Sequence, residues 1–368
     1  MVSVSGGRLT RAQQQERTRA AVLTAARDEF AEHGFGEATV DRIADRADLT
    51  RGAVYSNFPS KRALYLAVLV DQLDRTEAEA EAEAGADDAA DARPSTVAGA
   101  LEAFARAWLD RLPLAGDPPA GGRLRLRSLT GAIEDGEVLA ELARLEALLL
   151  GLALESFPSR RRRVRLADVV LTLLAGAAQR AETAPGSGDP FDVAGACAHL
   201  AGLDLADDDP PHLSYVGAAK AARDAWAPPP ATDLVTGGRA DLEADGVVAI
   251  LGARRLGAAE EAVRAAHSKD AAHSKDRVSL VVVTNDPAET GRLVRLRVGD
   301  LVGCLRRSLP ARAWPRCQLI LDEDGSVAAA AGVPEPGDAT EVAVRVSGGT
   351  VSARAYGRGA GHAAGSAR

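Results

Sequence analysis

Residues 39–64, TVDRIADRADLTRGAVYSNFPSKRAL, decide the fold of the N-terminal part of the chain. Thr39 is a favourable N-cap for a first short helix, which places Ile43 and its apolar neighbours on one face. The tripeptide DLT interrupts this pattern, and RGAVYSNF restarts it with Val54 and Phe58 on the inward face. Two short helices joined by a three-residue break predict a helix-turn-helix.

The second short helix mixes small residues with polar ones. A helix that enters the major groove of DNA needs small residues where it approaches the bases, and Gly52 and Ala53 meet this need. It also needs polar groups that reach base edges and phosphates, a role that suits Arg51, Ser56 and Asn57. The composition therefore predicts a recognition helix.

The same stretch resembles the DNA-binding head of the tetracycline-repressor (TetR) family. In that family a helix ending in F-x-x-x-G precedes T-x-x-x-I-A-x-x-A-G-V-S-x-G-x-x-Y-x-H-F-x-x-K-x-x-L. The matching positions are Phe30, Gly34, Thr39, Ile43, Ala44, Ala47, Gly52, Tyr55, Phe58, Lys61 and Leu64. Some positions depart from the pattern. Asp48 replaces Gly but tolerates a left-handed backbone, while Thr50 replaces Ser and Asn57 replaces His with hydrogen-bonding capacity retained.

The resemblance implies phosphate contacts from Thr39, Tyr55 and Lys61, and base-edge contacts from Arg51 and its neighbours. Thr39 and Lys61 also stand where the N-termini of helices can receive a phosphate. The predicted DNA-binding residues are Thr39, Thr50, Arg51, Gly52, Ala53, Tyr55, Ser56, Asn57 and Lys61.

Charge and composition agree with a head of this kind on a different body. The chain carries a net charge of −8. Between Arg8 and Arg62, however, ten basic residues face eight acidic ones. A slightly basic end on an acidic body is typical of a DNA-reading head, although a difference this small also arises by chance.

Several sequence features predict a cytoplasmic protein. No run of 18 apolar residues occurs, so we expect no membrane span. The first twenty residues lack the apolar core of a signal peptide. The three cysteines form an odd and sparse set, which suits a reducing compartment better than a disulfide framework.

The middle of the chain is predicted to be helical. A fourth helix begins at Lys61 and runs to about Glu83. Further helices are expected over about 96–112, 123–134, 137–157, 163–183 and 190–203. In the family that the head resembles, such a body binds a small effector and dimerises through its last two helices. The resemblance therefore implies a homodimer that responds to an effector of unknown identity.

The expected dimer face comprises RLADVVLTLLAGAAQRAET and FDVAGACAHLAGL, in which Gly176 permits a close approach of helices. The candidates for a ligand pocket are Phe104, Trp108, Leu148 and Phe157, and ordinary core packing is the alternative for each. The basic segment SRRRRVRLAD (159–168) indicates either a nucleic-acid contact or a solvated helix start, and the second interpretation is favoured.

After residue 240 the apolar pattern changes from that of helices to that of strands. GVVAIL (246–251) and RVSLVVVT (277–284) are β-branched strands around a helix near 256–268, and QLILD (318–322) follows. TEVAVRV and TVSARAY are joined by a tight SGG turn, which predicts a hairpin. Strand, helix, strand, helix, strand and hairpin together predict a small α/β domain.

This order resembles a thioredoxin-like domain of the peroxiredoxin type, and DEDGSVAAAAGV is similar to that family's D-x-D-G-x-V-A-x-x-Y-G-V. Such enzymes place a reactive cysteine at the helix start after the first strand, where the helix dipole lowers the thiol pKa. The corresponding GARRLGAAEE has none, so the usual thiol catalysis is not expected. Cys304 and Cys317 could form a sensing disulfide if the fold joins them; buried inert thiols are the alternative.

No metal site or cofactor is expected. The tandem repeat AHSKDAAHSKD carries His267 and His273, but six helical steps of about 100° place them about 120° apart, unlike an i, i+4 metal pair. A duplicated loop explains the repeat better.

The sequence thus predicts a multidomain chain in which an all-α N-terminal region precedes an α/β domain. Its predicted parts are a helix-turn-helix domain (10–66), a helical ligand-binding and dimerisation domain (67–205), a linker (206–240), a thioredoxin-like domain (241–356) and a disordered tail (357–368). The predicted function is a ligand-responsive repressor that binds palindromic operator DNA as a homodimer. The alternatives are a redox-responsive regulator or thiol enzyme using Cys304 and Cys317, and an activator with the same head.

Overall fold

The computed structural model describes residues 10–84, 94–112, 124, 127–158, 161–184, 186–205, 207, 214–267 and 276–367. The helices are α1 (Arg11–Glu37), α2 (Val40–Arg46), α3 (Arg51–Asn57), α4 (Lys61–Ala84), α5 (Val97–Leu109), α6 (Gly136–Leu154), α7 (Val164–Thr183), α8 (Pro190–Leu200), α9 (Ala258–Ala266), α10 (Arg292–Ser308), α11 (Ser326–Ala330) and α12 (Ala360–Gly365). The strands are β1 (Lys220–Ala225), β2 (Gly246–Gly252), β3 (Arg277–Val283), β4 (Cys317–Leu321), β5 (Glu341–Ser347) and β6 (Thr350–Tyr356). A π-helical turn, Pro287–Gly291, leads directly into α10.

Helices α1 to α3 form the head. Thr10 and Gln13 cap the start of α1 reciprocally, and Gly34 kinks the helix near its end with φ 69°. Asp48, between α2 and α3, adopts φ 54°, the left-handed conformation that the sequence predicted there. Phe30 and Phe58 are fully buried and fix the three helices around one core.

Helices α4 to α8 form the body. Helix α4 continues from the head into the body, α5 packs against α8, and α6 packs against α7. The predicted helices over 96–112, 137–157, 163–183 and 190–203 appear as α5 to α8 with ends within a few residues. Of the helix predicted over 123–134, residues 127–134 lie in turns and irregular backbone; 123, 125 and 126 lie outside the described residues.

Residues 214–267 and 276–367 form the sheet domain. Its described strands lie in the order β1-β6-β5-β2-β3-β4. Strands β2, β3 and β4 are parallel, whereas β5 runs antiparallel to β2 and β6. Alternate residues of β2 enter the apolar cores on the two faces of the sheet, which explains its uniformly apolar sequence. The predicted succession of strands, helices and hairpin is present.

The predicted linker is only partly a linker. Residues 220–225 form strand β1, which pairs antiparallel with β6. Trp226 is buried, and its indole N–H donates to the carbonyl of Leu242 at 2.7 Å. Backbone pairing at the sheet edge holds this exposed strand, so its side-chain pattern gave no strand signal.

The tail predicted to be disordered is instead a docked helix, α12, packed against α9. A Cβ on Gly361 would lie 2.6 Å from that of Ala262, and one on Gly365 would lie 2.7 Å from that of Ala265. Small residues therefore allow the two helices to approach closely. The guanidinium of Arg345 donates to the carbonyls that end α12.

Helix α10 of the sheet domain packs against α4, α5 and α6 of the body. A Cβ on Gly299 would lie 2.6 Å from Leu73 Cδ2, and one on Gly303 would lie 3.1 Å from Glu77 Oε1. Two glycines one turn apart thus let α10 lie close against α4. The sheet domain is docked on the body rather than tethered to it.

Candidate nucleic-acid interface and ligand cavity

Helix α3 presents a polar outer face on an apolar base. Thr50 caps its start by accepting from the Ala53 N–H at 3.2 Å. Val54 is 1% exposed and packs inward, whereas Arg51 and Tyr55 lie on the exposed side. The buried side of α3, with Val54, therefore fixes the helix to the head, while its polar side remains accessible.

Arg51 is positioned by its neighbours without being buried. Its side chain is 61% exposed and lies 3.3 Å from Asp41. Its guanidinium lies 5.5 Å from the centre of the Tyr55 ring. The neighbouring Tyr55 side chain and the charge of Asp41 raise the pKa of Arg51 above its ordinary value. The side chain is thus a cation oriented on the outer face of α3.

Thr39 caps α2 from a site fixed by a buried carboxylate. The Thr39 hydroxyl accepts from the Arg42 N–H at 3.3 Å, and its own N–H donates to Glu29 at 3.2 Å. Glu29 is fully buried and also accepts from Arg42 Nε at 2.5 Å. Sequence reasoning missed Glu29, although its position four residues after buried Ala25 marks the inner face of α1.

Three other predicted contact residues have partners within the head. Ser56 Oγ and Asn57 Nδ2 each donate to the carbonyl of Ala53 at 2.9 Å. Lys61 Nζ donates to the carbonyls of Phe35 at 2.7 Å, Ala38 at 3.1 Å and Gly36 at 3.3 Å. Lys61 therefore caps the carbonyl end of α1 in this structure. The sequence predicted a phosphate contact for Lys61 and gave no indication of this role. Gly52 is exposed, and Ala53 is half-buried.

The sheet domain touches the head at the start of α4. Glu289, in the π-helical turn, accepts from Ser60 Oγ and lies 3.2 Å from Arg62 Nη1. Arg292 donates to the carbonyl of Ala63 at 3.0 Å, and its guanidinium lies 5.6 Å from the centre of the Phe58 ring. These pairs are more than 220 residues apart in sequence, so local patterns gave no signal for them.

A cavity of about 390 Å³ lies between the body and α10. Trp108, one of the predicted pocket residues, lines it. Phe104, Leu148 and Phe157 are at most 4% exposed and belong to the apolar core instead. A second cleft, of about 650 Å³, lies between α4 and the sheet domain, and seven of its eighteen lining residues are charged.

Cys304 and Cys317 are both free and buried, on α10 and β4 respectively. Burial raises the pKa of the Cys317 thiol to about 12, which disfavours the reactive thiolate.

Arg162, in the basic segment 159–168, pairs at 2.9 Å with Glu260 of the sheet domain. That part of the segment therefore serves domain docking.

Within the described ranges, no group of three or more His, Cys, Asp or Glu side chains is arranged to hold a metal ion. His267 ends α9, and His273 lies outside those ranges. Of the described helices, none combines the length and apolar character required to cross a bilayer.

Comparison with known proteins identifies the class of the head. Residues 22–68 match the family described as bacterial regulatory proteins, tetR family. These residues cover most of α1, all of α2 and α3, and the start of α4. The prediction of a TetR-type helix-turn-helix is therefore confirmed.

Two curated regulators are similar over the same part of the chain. The HTH-type transcriptional activator FasR of Mycolicibacterium smegmatis is 41% identical over 69 residues, which are 19% of this chain and 30% of that protein. The HTH-type transcriptional regulator SrpR of Pseudomonas putida is 41% identical over 61 residues, 17% and 29% of the two chains. The chain thus spans less than a third of the length of each relative. The matches support a TetR-type DNA-binding transcriptional regulator.

Solved structures of TetR regulators also align with about half of the chain. A TetR-family regulator from Pectobacterium atrosepticum is 28% identical, with 52% of this chain and 95% of that chain covered and a TM-score of 0.36. A TetR-like regulator from Rhodococcus sp. RHA1 is 26% identical, with 53% and 96% covered and a TM-score of 0.33. The thioredoxin-like identity predicted for the sheet domain is not supported by these comparisons.

Proposed function

We propose that this chain is a homodimeric, ligand-responsive transcriptional regulator of TetR type that binds palindromic operator DNA. The observation that carries the proposal is the exposed outer face of α3, where Arg51, Gly52, Tyr55 and Ser56 lie beside the capped start of α2. A short helix of this kind fits the major groove, and its polar side chains reach base edges and phosphates.

Operator selection from a random duplex library, followed by binding of Arg51→Ala, tests this proposal. We expect Arg51→Ala to weaken binding to the selected site about ten- to hundredfold and to relax its sequence preference, because a base contact is lost. Arg223→Ala, an exposed change on the edge strand β1, is the matched control and should bind as the wild type does. Equal weakening on every sequence would make Arg51 a phosphate contact, and no selected site at all would overturn the proposal.

The proposed dimer uses α7 and α8. Large apolar side chains are exposed along this pair of helices, namely Val169 at 37%, Leu173 at 36%, Phe191 at 69% and, just after α8, Leu203 at 46%. Gly176, three residues after Leu173, has open space where a Cβ would lie. An exposed apolar face of this kind favours association with a second copy, which would bring two α3 helices to one duplex.

Sedimentation of Leu173→Asp tests the dimer. A charge placed in the apolar interface should shift the protein to monomers and weaken operator binding, because each half-site is then bound alone. Ala225→Asp adds the same charge at the exposed sheet edge and should remain dimeric. A dimeric Leu173→Asp protein would exclude this face.

We further propose that an effector occupies the cavity of about 390 Å³ and lowers operator affinity, so that the protein acts as a repressor. The relative FasR is named an activator, and both kinds of regulator bind DNA alike. Mapping the operator relative to the promoter it controls distinguishes them: a site overlapping the promoter supports repression, and a site upstream supports activation. We also propose a cytoplasmic location, which the free, buried cysteines and the proposed DNA partner support.

A further inference from the structure

The cavity contains a charged cluster with two cations and one carboxylate. Arg111 and Arg127, both from the body, each direct Nη1 at Asp300 on α10. The three side chains are 16%, 12% and 17% exposed, so water screens them little. Within the described ranges the Nε atoms of both arginines are buried without a hydrogen-bond partner. Asp300 is thus one carboxylate shared by two cations, and the Arg111 guanidinium also lies 3.6 Å from the centre of the Trp108 ring.

The other carboxylates that line the cavity have partners of their own. Glu146 pairs with Arg297, whose Nε donates to it at 2.7 Å. Glu182 accepts from Ser128 Oγ at 2.5 Å and from Thr130 Oγ1 at 3.3 Å. The arginine pair therefore has Asp300 as its ion-pair partner, and the three cations and three carboxylates that line the cavity balance, so an incoming anion has to replace Asp300 rather than add to it. The rest of the wall is largely apolar, with Trp108, Ile133, Leu139, Leu171 and Leu296.

Helix α10 connects this cluster to the head. Asp300 and Leu296 face the cavity from the middle of α10. At its start, Arg292 contacts Ala63 and Phe58. The preceding turn places Glu289 against Ser60 and Arg62, at the junction of the head and α4. A displacement of α10 therefore changes contacts at both places.

We propose that this cavity binds a small amphipathic molecule with one anionic group, that the anionic group competes with Asp300 for Arg111 and Arg127, and that the release of α10 is transmitted to the head through Glu289. This inference rests on the proposed function for its outcome, a change in operator affinity. The sheet domain is then the element that reports cavity occupancy, rather than a redox module.

The chemistry follows from the cluster. Guanidinium groups in a weakly hydrated site bind a carboxylate or a similar anion through charge-assisted hydrogen bonds. An incoming anion supplies acceptors for two guanidinium groups that otherwise share the single carboxylate of Asp300. Its apolar part buries the surface around Trp108 and Leu171. The ligand's anionic group and Asp300 of α10 then compete for the same two arginines. The ligand therefore has a higher affinity for the protein when α10 is released than when it is docked.

Calorimetry without DNA tests the site. The probes are 1-naphthoate and octanoate, with 1-naphthamide and octanamide as uncharged controls. We expect Asp300→Asn to bind at least one carboxylate about tenfold or more tightly than the wild type, because the competing charge is removed. Asp300→Asn should not increase the affinity for either amide. In the double variant Asp300→Asn, Arg127→Gln, the increase in carboxylate affinity should disappear. Arg295→Gln, also on α10, removes an exposed ion pair with Asp74 of α4 and should bind the probes as the wild type does.

Operator binding tests the transmission. The bound carboxylate should weaken operator affinity of the wild type, whereas Glu289→Gln should retain its affinity without the probe and lose most of the response to it. Failure of both carboxylates to bind Asp300→Asn would overturn the ligand assignment. A full response in Glu289→Gln would overturn transmission through α10. Absence of operator binding by the wild type and all variants would instead contradict the proposed function. The calorimetry, which uses no DNA, would still test the ligand assignment in that case.

Discussion

Replacing Glu29 by Gln tests how the head positions its recognition helix. Glu29 is fully buried, accepts from Arg42 Nε at 2.5 Å and lies 3.3 Å from Arg46 Nε. Loss of one member of a buried ion pair costs ~3–5 kcal/mol. The arginine side chains, however, are 45% and 34% exposed, so water offsets part of the loss. We therefore expect Glu29→Gln to destabilise the packing of α2 and α3 on α1 by about 2 kcal/mol.

Amide hydrogen exchange of peptides from residues 40–57 measures this effect directly. About 2 kcal/mol corresponds to roughly thirtyfold more frequent opening, and hence faster exchange. Glu32→Gln, which removes an exposed partner of Arg46, is the matched control and should leave exchange in these peptides nearly unchanged. Wild-type exchange in Glu29→Gln, or the same acceleration in both variants, would refute the assigned role of the buried carboxylate.

Two further predictions concern the body and the sheet domain. Because burial raises the pKa of Cys317 from 9.0 to about 12, the free energy of unfolding should fall as pH rises from about 9 to about 12. In urea titrations over this pH range, the free energy of unfolding of Cys317→Ser should fall less than that of the wild type. An identical fall in the two proteins would contradict this explanation. A Cβ on Gly151 would lie 2.8 Å from Val164 Cα, so Gly151→Ala should separate α6 from α7 and cost ~1–3 kcal/mol in thermal unfolding. Gly136→Ala is the control, because a Cβ at Gly136 would meet open space, and it should not lower the thermal stability in this way. Equal destabilisation by the two substitutions would exclude the steric explanation.

The features predictable from sequence were those set by neighbouring residues. The head follows from helical periodicity, caps and a short turn, all within residues 39–64. Its left-handed turn at Asp48 and the hairpin turn at Gly348 and Gly349, both with positive φ, have local causes. The fold of these parts could therefore be predicted without knowledge of the rest.

The features that escaped prediction depend on distant partners. Strand β1 exists because β6 offers a free edge, and α12 is ordered because α9 offers a surface of small residues. For the candidate site, the outer face of α3 was predictable. The use of Lys61 within the head, the buried charge of Glu29 and the contact of Glu289 with Ser60 depend on tertiary packing. No local pattern contains that information.

Photo-crosslinking tests directly whether α3 lies in the major groove of operator DNA. Ser56 is exposed on this helix, whereas the native cysteines are buried, so Ser56→Cys can be labelled selectively with a photo-crosslinker. Lys220→Cys on the edge strand β1 provides the control. We expect crosslinks from Ser56→Cys to bases of two symmetric half-sites about one helical turn apart, with none from the control. Equal crosslinking by both variants, or none by either, would contradict the placement of α3 in the major groove.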